Sequence, residues 1–248
     1  MKSILLSGLL IYFGLGLYLY FAQRSFIYFP VTDTQMVSDT RLFKNDGHEI
    51  KVSVLNKHRG NAIIYFGGNA ENVEYNSATF STLFSEHTVY LVKYRGYGGS
   101  TGTPTEEAIY SDALHIYDEI RHDYETVSLI GRSLGSAVAT YVASKREIHK
   151  LVLITPFDSV ERVAQSQFPI YPMSILLKDK HDSYSRAKHI QAQTLIVAAE
   201  LDRVIKMPHT QRLLDGFSSK VKFHVIEGAD HNNISSYPSY HGVLDEFL

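Results

Sequence analysis

Cysteine is absent from all 248 residues. That excludes disulfides, thiolate metal sites and a cysteine nucleophile together. It selects no redox compartment, because a cysteine-free chain suits either. A basic excess is also absent: 24 Lys and Arg stand against 26 Asp and Glu, a formal net charge of −2. Nothing in that balance points to nucleic acid. The chain contains no internal repeat and no low-complexity tract. What is present is an ordinary globular composition, 44% hydrophobic and 20% charged. The length suits one α/β domain better than two.

One further absence is local. Ser3 to Gln23 carries no charged side chain, and eleven of its positions are Leu, Ile or Phe. About 20 apolar residues span a bilayer as a helix. Tyr18, Tyr20, Tyr28 and Phe29 cluster toward one end, as an interfacial aromatic belt does. Residues 1–30 are therefore expected to form a single-pass membrane anchor, with the membrane as one partner of the chain. Two alternatives stand beside it. A cleaved signal peptide has an apolar core of about 7–15 residues followed by a small-residue cleavage site; this core is longer, and no A-x-A pattern follows. The other alternative is a buried helix of a soluble protein. Orientation is left open, since only Lys2 precedes the helix while Arg24 and Arg41 follow it.

After Pro30 comes a polar stretch, and then residues 31–248 alternate between two patterns. Glu49–Leu55 alternates as a half-exposed strand does. Ala62–Phe66, Val89–Val92, Val127–Ile130, Leu151–Ile154, Thr194–Ala199 and Phe223–Ile226 are short apolar runs, most ending at Gly or Pro. Helical patterns such as Thr105–Arg121 and Leu134–Ser144 lie between most of them. This reads as an α/β fold: a mainly parallel central sheet with helices on both faces. In such sheets chemistry sits beyond the carboxyl ends of the strands. The interval from Phe157 to Gln193 has no strand-like run. It reads as a small helical cap insertion over the site, with a long connection packed on the sheet edge as the plainer alternative.

Gly131-Arg132-Ser133-Leu134-Gly135 follows one apolar run and opens one helical pattern. A G-x-S-x-G match alone arises by chance in a chain this long on the order of one time in ten. The strand–turn–helix context makes it a nucleophile elbow, in which a strained turn presents Ser133 at the top of the sheet. Gly131 and Gly135 leave room where strand and helix crowd together. A serine hydroxyl needs a base. Most of the twelve histidines must be ordinary surface residues. His231 differs by following the last apolar run, whereas His241 lies in the C-terminal segment. The chain order Ser, acid, His points to Asp202 after the penultimate run. Glu200 is the fallback, and Asp230 is disfavoured by its place next to His231. The oxyanion needs two backbone N–H donors. Leu134, following the nucleophile, supplies one; Asn69, in Gly67-Gly68-Asn69-Ala70, is expected to supply the other. A plain glycine turn is the alternative there. Asp179, His181 and Asp182 are too few for a metal site, so neither metal nor cofactor is expected.

Several separated stretches resemble the Bem46-like α/β-hydrolases. They are Leu19–Pro30, Phe66–Asn72, Tyr94-Arg95-Gly96-Tyr97-Gly98-Gly99-Ser100-Thr101-Gly102-Thr103-Pro104-Thr105-Glu106, the Ser133 elbow, Leu201–Ile205 and Ala229–Asn232. The resemblance runs from Leu19 to the end. It implies the α/β-hydrolase fold, an N-terminal anchoring helix and cleavage of an acyl ester or thioester in a lipid or an acylated protein. Members that remove palmitoyl groups carry an N-terminal cysteine cluster, which this chain lacks. The expected activity is a membrane-anchored serine hydrolase using Ser133, Asp202 and His231. A serine peptidase on the same fold is the first alternative, and a non-catalytic binding protein the second.

Overall fold

A computed structural model describes residues 2–32 and 39–248. Met1 and part of the polar stretch after Pro30 lie outside the described residues. The chain opens with α1 (Lys2–Ile27). It continues through β1 (Asp39–Asn45), β2 (His48–Leu55), β3 (Asn61–Phe66), α2 (Ser77–Leu83), β4 (His87–Val92) and α3 (Glu106–Ile120). The elbow joins β5 (Thr126–Arg132) to α4 (Leu134–Ala143), and β6 (Lys150–Ile154) follows. Then come α5 (Val160–Gln167), α6 (Met173–Leu176), α7 (Ser183–Ala187), β7 (Gln193–Ala199), α8 (Met207–Asp215), β8 (Val221–Ile226) and α9 (Pro238–Phe247).

All eight described strands form one sheet in the order β1-β2-β4-β3-β5-β6-β7-β8. β2 pairs antiparallel with both β1 and β4, and every pairing from β4 to β8 is parallel. The central strands are apolar on both faces because helices cover both. Ala62, Ile64 and Phe66 of β3 pack toward α3 and α4, while Ile63 and Tyr65 pack toward α2 and α9. That alternation is the period of two that a pleated strand imposes.

The helix starts obey local rules. The Thr105 side chain accepts from the Ala108 N–H at the start of α3, with Glu106 and Glu107 in its first turn. Ser159 caps α5 in the same way, through the Arg162 N–H. Between β6 and β7 the interval read as a cap insertion holds three short helices, α5, α6 and α7.

α1 is the one described helix long and apolar enough to cross a membrane, by length and composition. It fits a single-pass anchor or a signal sequence. The third reading, a core helix of a soluble protein, conflicts with its exposure: only 6% of its apolar window is buried. Leu5, Leu6, Leu10, Ile11, Phe13 and Phe21 all face outward.

Candidate active site

Ser133 sits where β5 ends and α4 begins, with φ 49° and ψ −115°. A non-glycine residue held there carries about 1–3 kcal/mol of strain, which the surroundings must impose. They do so from three sides. The Ser133 N–H donates to the Ile154 carbonyl at 2.9 Å, fixing the turn against β6. The Ser136 hydroxyl donates to the Ser133 carbonyl at 2.6 Å. The helix also crosses the strand so closely that side chains are excluded. A Cβ on Gly135 would collide with the Phe66 carbonyl, and one on Gly131 with the Gly135 carbonyl.

The carboxyl ends of β7 and β8 bring two more groups to this point. His231 Nε2 lies 2.9 Å from Ser133 Oγ. Its Nδ1 lies 2.7 Å from Asp202 Oδ2. The other Asp202 oxygen accepts from the Val204 N–H at 2.9 Å and the Ile205 N–H at 2.7 Å. Those bonds fix the carboxylate before it meets the imidazole. The His231 carbonyl accepts from Arg132 Nη2 at 3.2 Å, tying the histidine loop back to the elbow.

The Gly67–Ala70 loop at the end of β3 lies against the elbow; a Cβ on Gly68 would stand 3.6 Å from Ser133 Cβ. Leu134 lies at the first position of α4, where a backbone N–H has no intrahelical acceptor. The Asn69 side chain ties this loop to the end of α1. Its Oδ1 accepts from the Phe29 N–H at 2.9 Å and from the Tyr97 hydroxyl at 2.8 Å. Its Nδ2 donates to the Ile27 carbonyl at 2.7 Å. One carboxamide thus joins the end of α1 to the loop beside Ser133.

Glu71 supports the same loop from beneath. Oε2 accepts from the Gly68 N–H at 2.5 Å, and Oε1 accepts from the Tyr65 hydroxyl and from Asn76 Nδ2, each at 2.7 Å. Arg132 Nη1 stands 3.4 Å from Oε2. Sequence reasoning assigned Glu71 no role. Its only signal was its place in the Phe66–Asn72 stretch.

Ser133 opens into a cavity of about 310 Å³, at the lower end of small-ligand sites. Leu19, Phe26 and Phe29 line it from the N-terminal segment, and Val163, Phe168 and Leu176 line it from the interval between β6 and β7. None of its lining residues is charged. A larger cleft of about 800 Å³ lies near Arg121, Lys145 and His189, at the amino ends of β5 and β6. It is on the wrong end of a parallel sheet for Ser133 to reach.

Comparison with known proteins agrees with this fold. Residues 61–175 match the family described as the alpha/beta hydrolase fold. The chain is 28% identical over 200 residues to protein bem46 of Schizosaccharomyces pombe, covering 75% of this chain and 66% of that one. It is 28% identical over 192 residues to human alpha/beta hydrolase domain-containing protein 17B, covering 75% and 65%. This chain has the α/β-hydrolase fold and is similar to Bem46-like proteins. An uncharacterized protein of Mycobacterium tuberculosis is 27% identical to this chain over 238 residues, covering 89% of it and 84% of the relative. An alpha-beta serine hydrolase homologue from Coxiella burnetii superposes with a TM-score of 0.66 at 17% identity, over 87% of this chain and all of that one; at that identity the likeness shows the fold.

The remaining candidate residues of the chain lie elsewhere. Glu200 accepts from the Gly228 N–H at 2.8 Å and so ties two loops. Asp230 accepts from the Asn232 and Asn233 N–H groups and closes its own turn. His241 is in α9, ring to ring with Tyr240. Asp179, His181 and Asp182 point to separate partners. Asp179 takes Arg24 at 3.0 Å, His181 lies between the Tyr28 and Tyr110 hydroxyls, and Asp182 caps α7.

Proposed function

We propose that this protein is a membrane-anchored serine hydrolase that cleaves acyl ester or thioester bonds. One observation carries the reading. A strained serine, an imidazole and an oriented carboxylate are in line, at 2.9 Å and 2.7 Å, beside an uncharged cavity. Both distances fall in the range where proton transfer is direct.

In the proposed reaction Ser133 Oγ attacks the acyl carbonyl and gives its proton to His231 Nε2. Asp202 holds the tautomer that leaves Nε2 free to accept, and stabilises the imidazolium. The N–H groups of Leu134 and Asn69 hold the oxyanion. The proton on Nε2 passes to the departing alcohol or thiol. Water then attacks the acyl-Ser133 ester, His231 taking its proton, and the acid leaves. An uncharged cavity suits a hydrocarbon chain. It offers no carboxylate for an amino terminus, which sets the ester reading above the peptidase one.

A fluorophosphonate probe should label the wild type and leave Ser133→Ala unlabelled. Equal labelling of the two would sink the assignment. A panel of acyl esters, thioesters and peptide amides should show turnover of the first two classes only. Residues 1–30 as an anchor predict that the protein stays with membranes through a carbonate wash.

A further inference from the structure

The part of the cap that faces away from the sheet is built like a membrane segment. Phe168-Pro169-Ile170-Tyr171-Pro172-Met173-Ser174-Ile175-Leu176-Leu177 carries no charge. Ile170 is 68% exposed and Ile175 77%. This stretch lies along α1. The Tyr12 and Tyr171 rings stack at 4.8 Å, the Tyr171 ring closes over Gly16, and Gln23 meets the chain at Leu176 and Lys178. At about 1.5 Å per residue, Tyr12 lies about 17 Å along the helix from Gln23. The outward face of the stretch therefore continues the apolar surface of α1 across about half the thickness of a bilayer core.

Charge marks where that shared surface ends. Arg24 pairs with Asp179 at 3.0 Å, and Lys178 Nζ sits 4.2 Å over the Tyr20 ring. Cations on aromatic rings at the limit of an apolar stretch are a membrane-boundary pattern.

A second observation is independent of side-chain polarity. Irregular backbone is tolerated in hydrocarbon only where its N–H and C=O groups are satisfied within the protein. Pro169 and Pro172 have no N–H to satisfy. The Tyr12 hydroxyl donates to the Ile170 carbonyl at 2.9 Å. Gln165 donates to the Phe168 and Pro169 carbonyls and accepts from the Met173 N–H. Gln23 donates to the Leu176 carbonyl at 3.0 Å and accepts from the Lys178 N–H at 2.6 Å. Side chains of α1 and α5 thus do for this stretch what water does for an ordinary surface loop.

We infer that Phe168–Leu177 is inserted in the bilayer beside α1, and that the mouth between them admits the acyl chain to Ser133 directly from lipid. Phe168 and Leu176 of the stretch and Leu19 and Phe26 of α1 all line the cavity that holds Ser133. A substrate chain moving from lipid to Ser133 between them crosses no charged wall. The access route rests on the proposed hydrolase activity; the insertion does not.

The absence of cysteine makes the test direct. Ile175→Cys and, at the far end of the sheet, Lys145→Cys are each labelled with an environment-sensitive nitrobenzoxadiazole dye in the full chain. Both are reconstituted in phosphatidylcholine vesicles. Lipids carrying a doxyl quencher in the acyl chain should quench the Ile175 label and leave the Lys145 label unchanged. Emission from water at Ile175 overturns the insertion. So does a shielded label that the quencher lipids do not reach, since a second protein copy would then cover the face.

The access route is read from Ile170→Asp/Ile175→Asp, neither residue lining the cavity. Hydrolysis of a long-chain ester embedded in vesicles should fall by at least about tenfold. Fluorophosphonate labelling and hydrolysis of a water-soluble butyrate ester should persist. An unchanged rate on the embedded ester, or an equal fall on both esters, overturns the route. If the wild type shows the quenching yet cleaves no ester, the proposed activity fails and the inserted cap stands.

Discussion

Ser133 keeps its strained backbone because neighbouring residues leave it no alternative, and those neighbours can be tested singly. Gly135→Ala places a methyl group on the Phe66 carbonyl, where backbone rather than a flexible side chain must yield. Overpacking costs about 1–3 kcal/mol in adaptable cores, so a loss at or above that range is expected, seen as a lowered thermal midpoint. Glu71→Gln removes the carboxylate charge that Gly68, Tyr65, Asn76 and Arg132 converge on. Displacing the Gly67–Ala70 loop, which carries the proposed oxyanion donor, should lower kcat by about 10–100-fold with KM little changed. A purely structural role would instead lower the thermal midpoint and leave the kcat of the folded fraction intact. Ser133, Asp202 and His231 were legible in the sequence because each stands just after an apolar run, in a fixed order. Glu71 was not, since its role depends on where Arg132, Tyr65 and Asn76 arrive from three other positions in the chain.

At the scale of elements, legibility followed periodicity. The parallel core strands announce themselves as runs such as Leu151–Ile154 and Thr194–Ala199, and the structure extends these by a residue at most. β1 passed unnoticed because only Phe43 of its seven residues is buried, which leaves no alternation to read on this edge strand. α1 was legible as an apolar run but not as a wall of the site. Its docking stripe runs through Tyr12, Gly16, Leu19 and Gln23, three and four residues apart as one helix face requires. Composition alone shows no such face in a helix that is apolar all round. Gln23 was the available hint, a long polar side chain closing an uncharged stretch. Gln23→Leu strands the Leu176 carbonyl and the Lys178 N–H, at about 1–3 kcal/mol for each group left buried and unpaired. Hydrogen exchange at Lys178 should quicken by about tenfold or more, while exchange in β5 should stay as it was.

Across the whole molecule, α1, α3 and the cap meet at His181. This residue is fully buried, with Nε2 and Nδ1 each 2.9 Å from a tyrosine hydroxyl, those of Tyr28 and Tyr110. Burial pushes its pKa down to about 4, with Arg186 acting in the same direction and Glu106 and Asp179 against it. The unfolded chain takes up that proton near pH 6.5. Between those values the unfolded state binds more protons, so stability falls as pH drops through the window and is fully present above it. The thermal midpoint should therefore decline between about pH 6.5 and 4, and His181→Gln should flatten that slope whatever it does to the midpoint at neutral pH. A chain starting at residue 31 tests the molecule as a unit. It lacks Leu19, Phe26 and Phe29 of the cavity wall and the partners of Asn69. On a water-soluble ester in detergent it should lose at least about tenfold in kcat/KM. A passive tether would leave that value unchanged.

On the proposed function, the two bonds between Asn69 and the Ile27–Phe29 backbone bear on control in the cell. A protease that shed the catalytic body from its helix would not create a fully active roaming hydrolase. The freed body would lose the bonds that hold the Asn69 side chain, and its activity would fall with its attachment. On the proposed function, release of the body would yield a weakened fragment, and the reaction would stay with whichever membrane holds the helix.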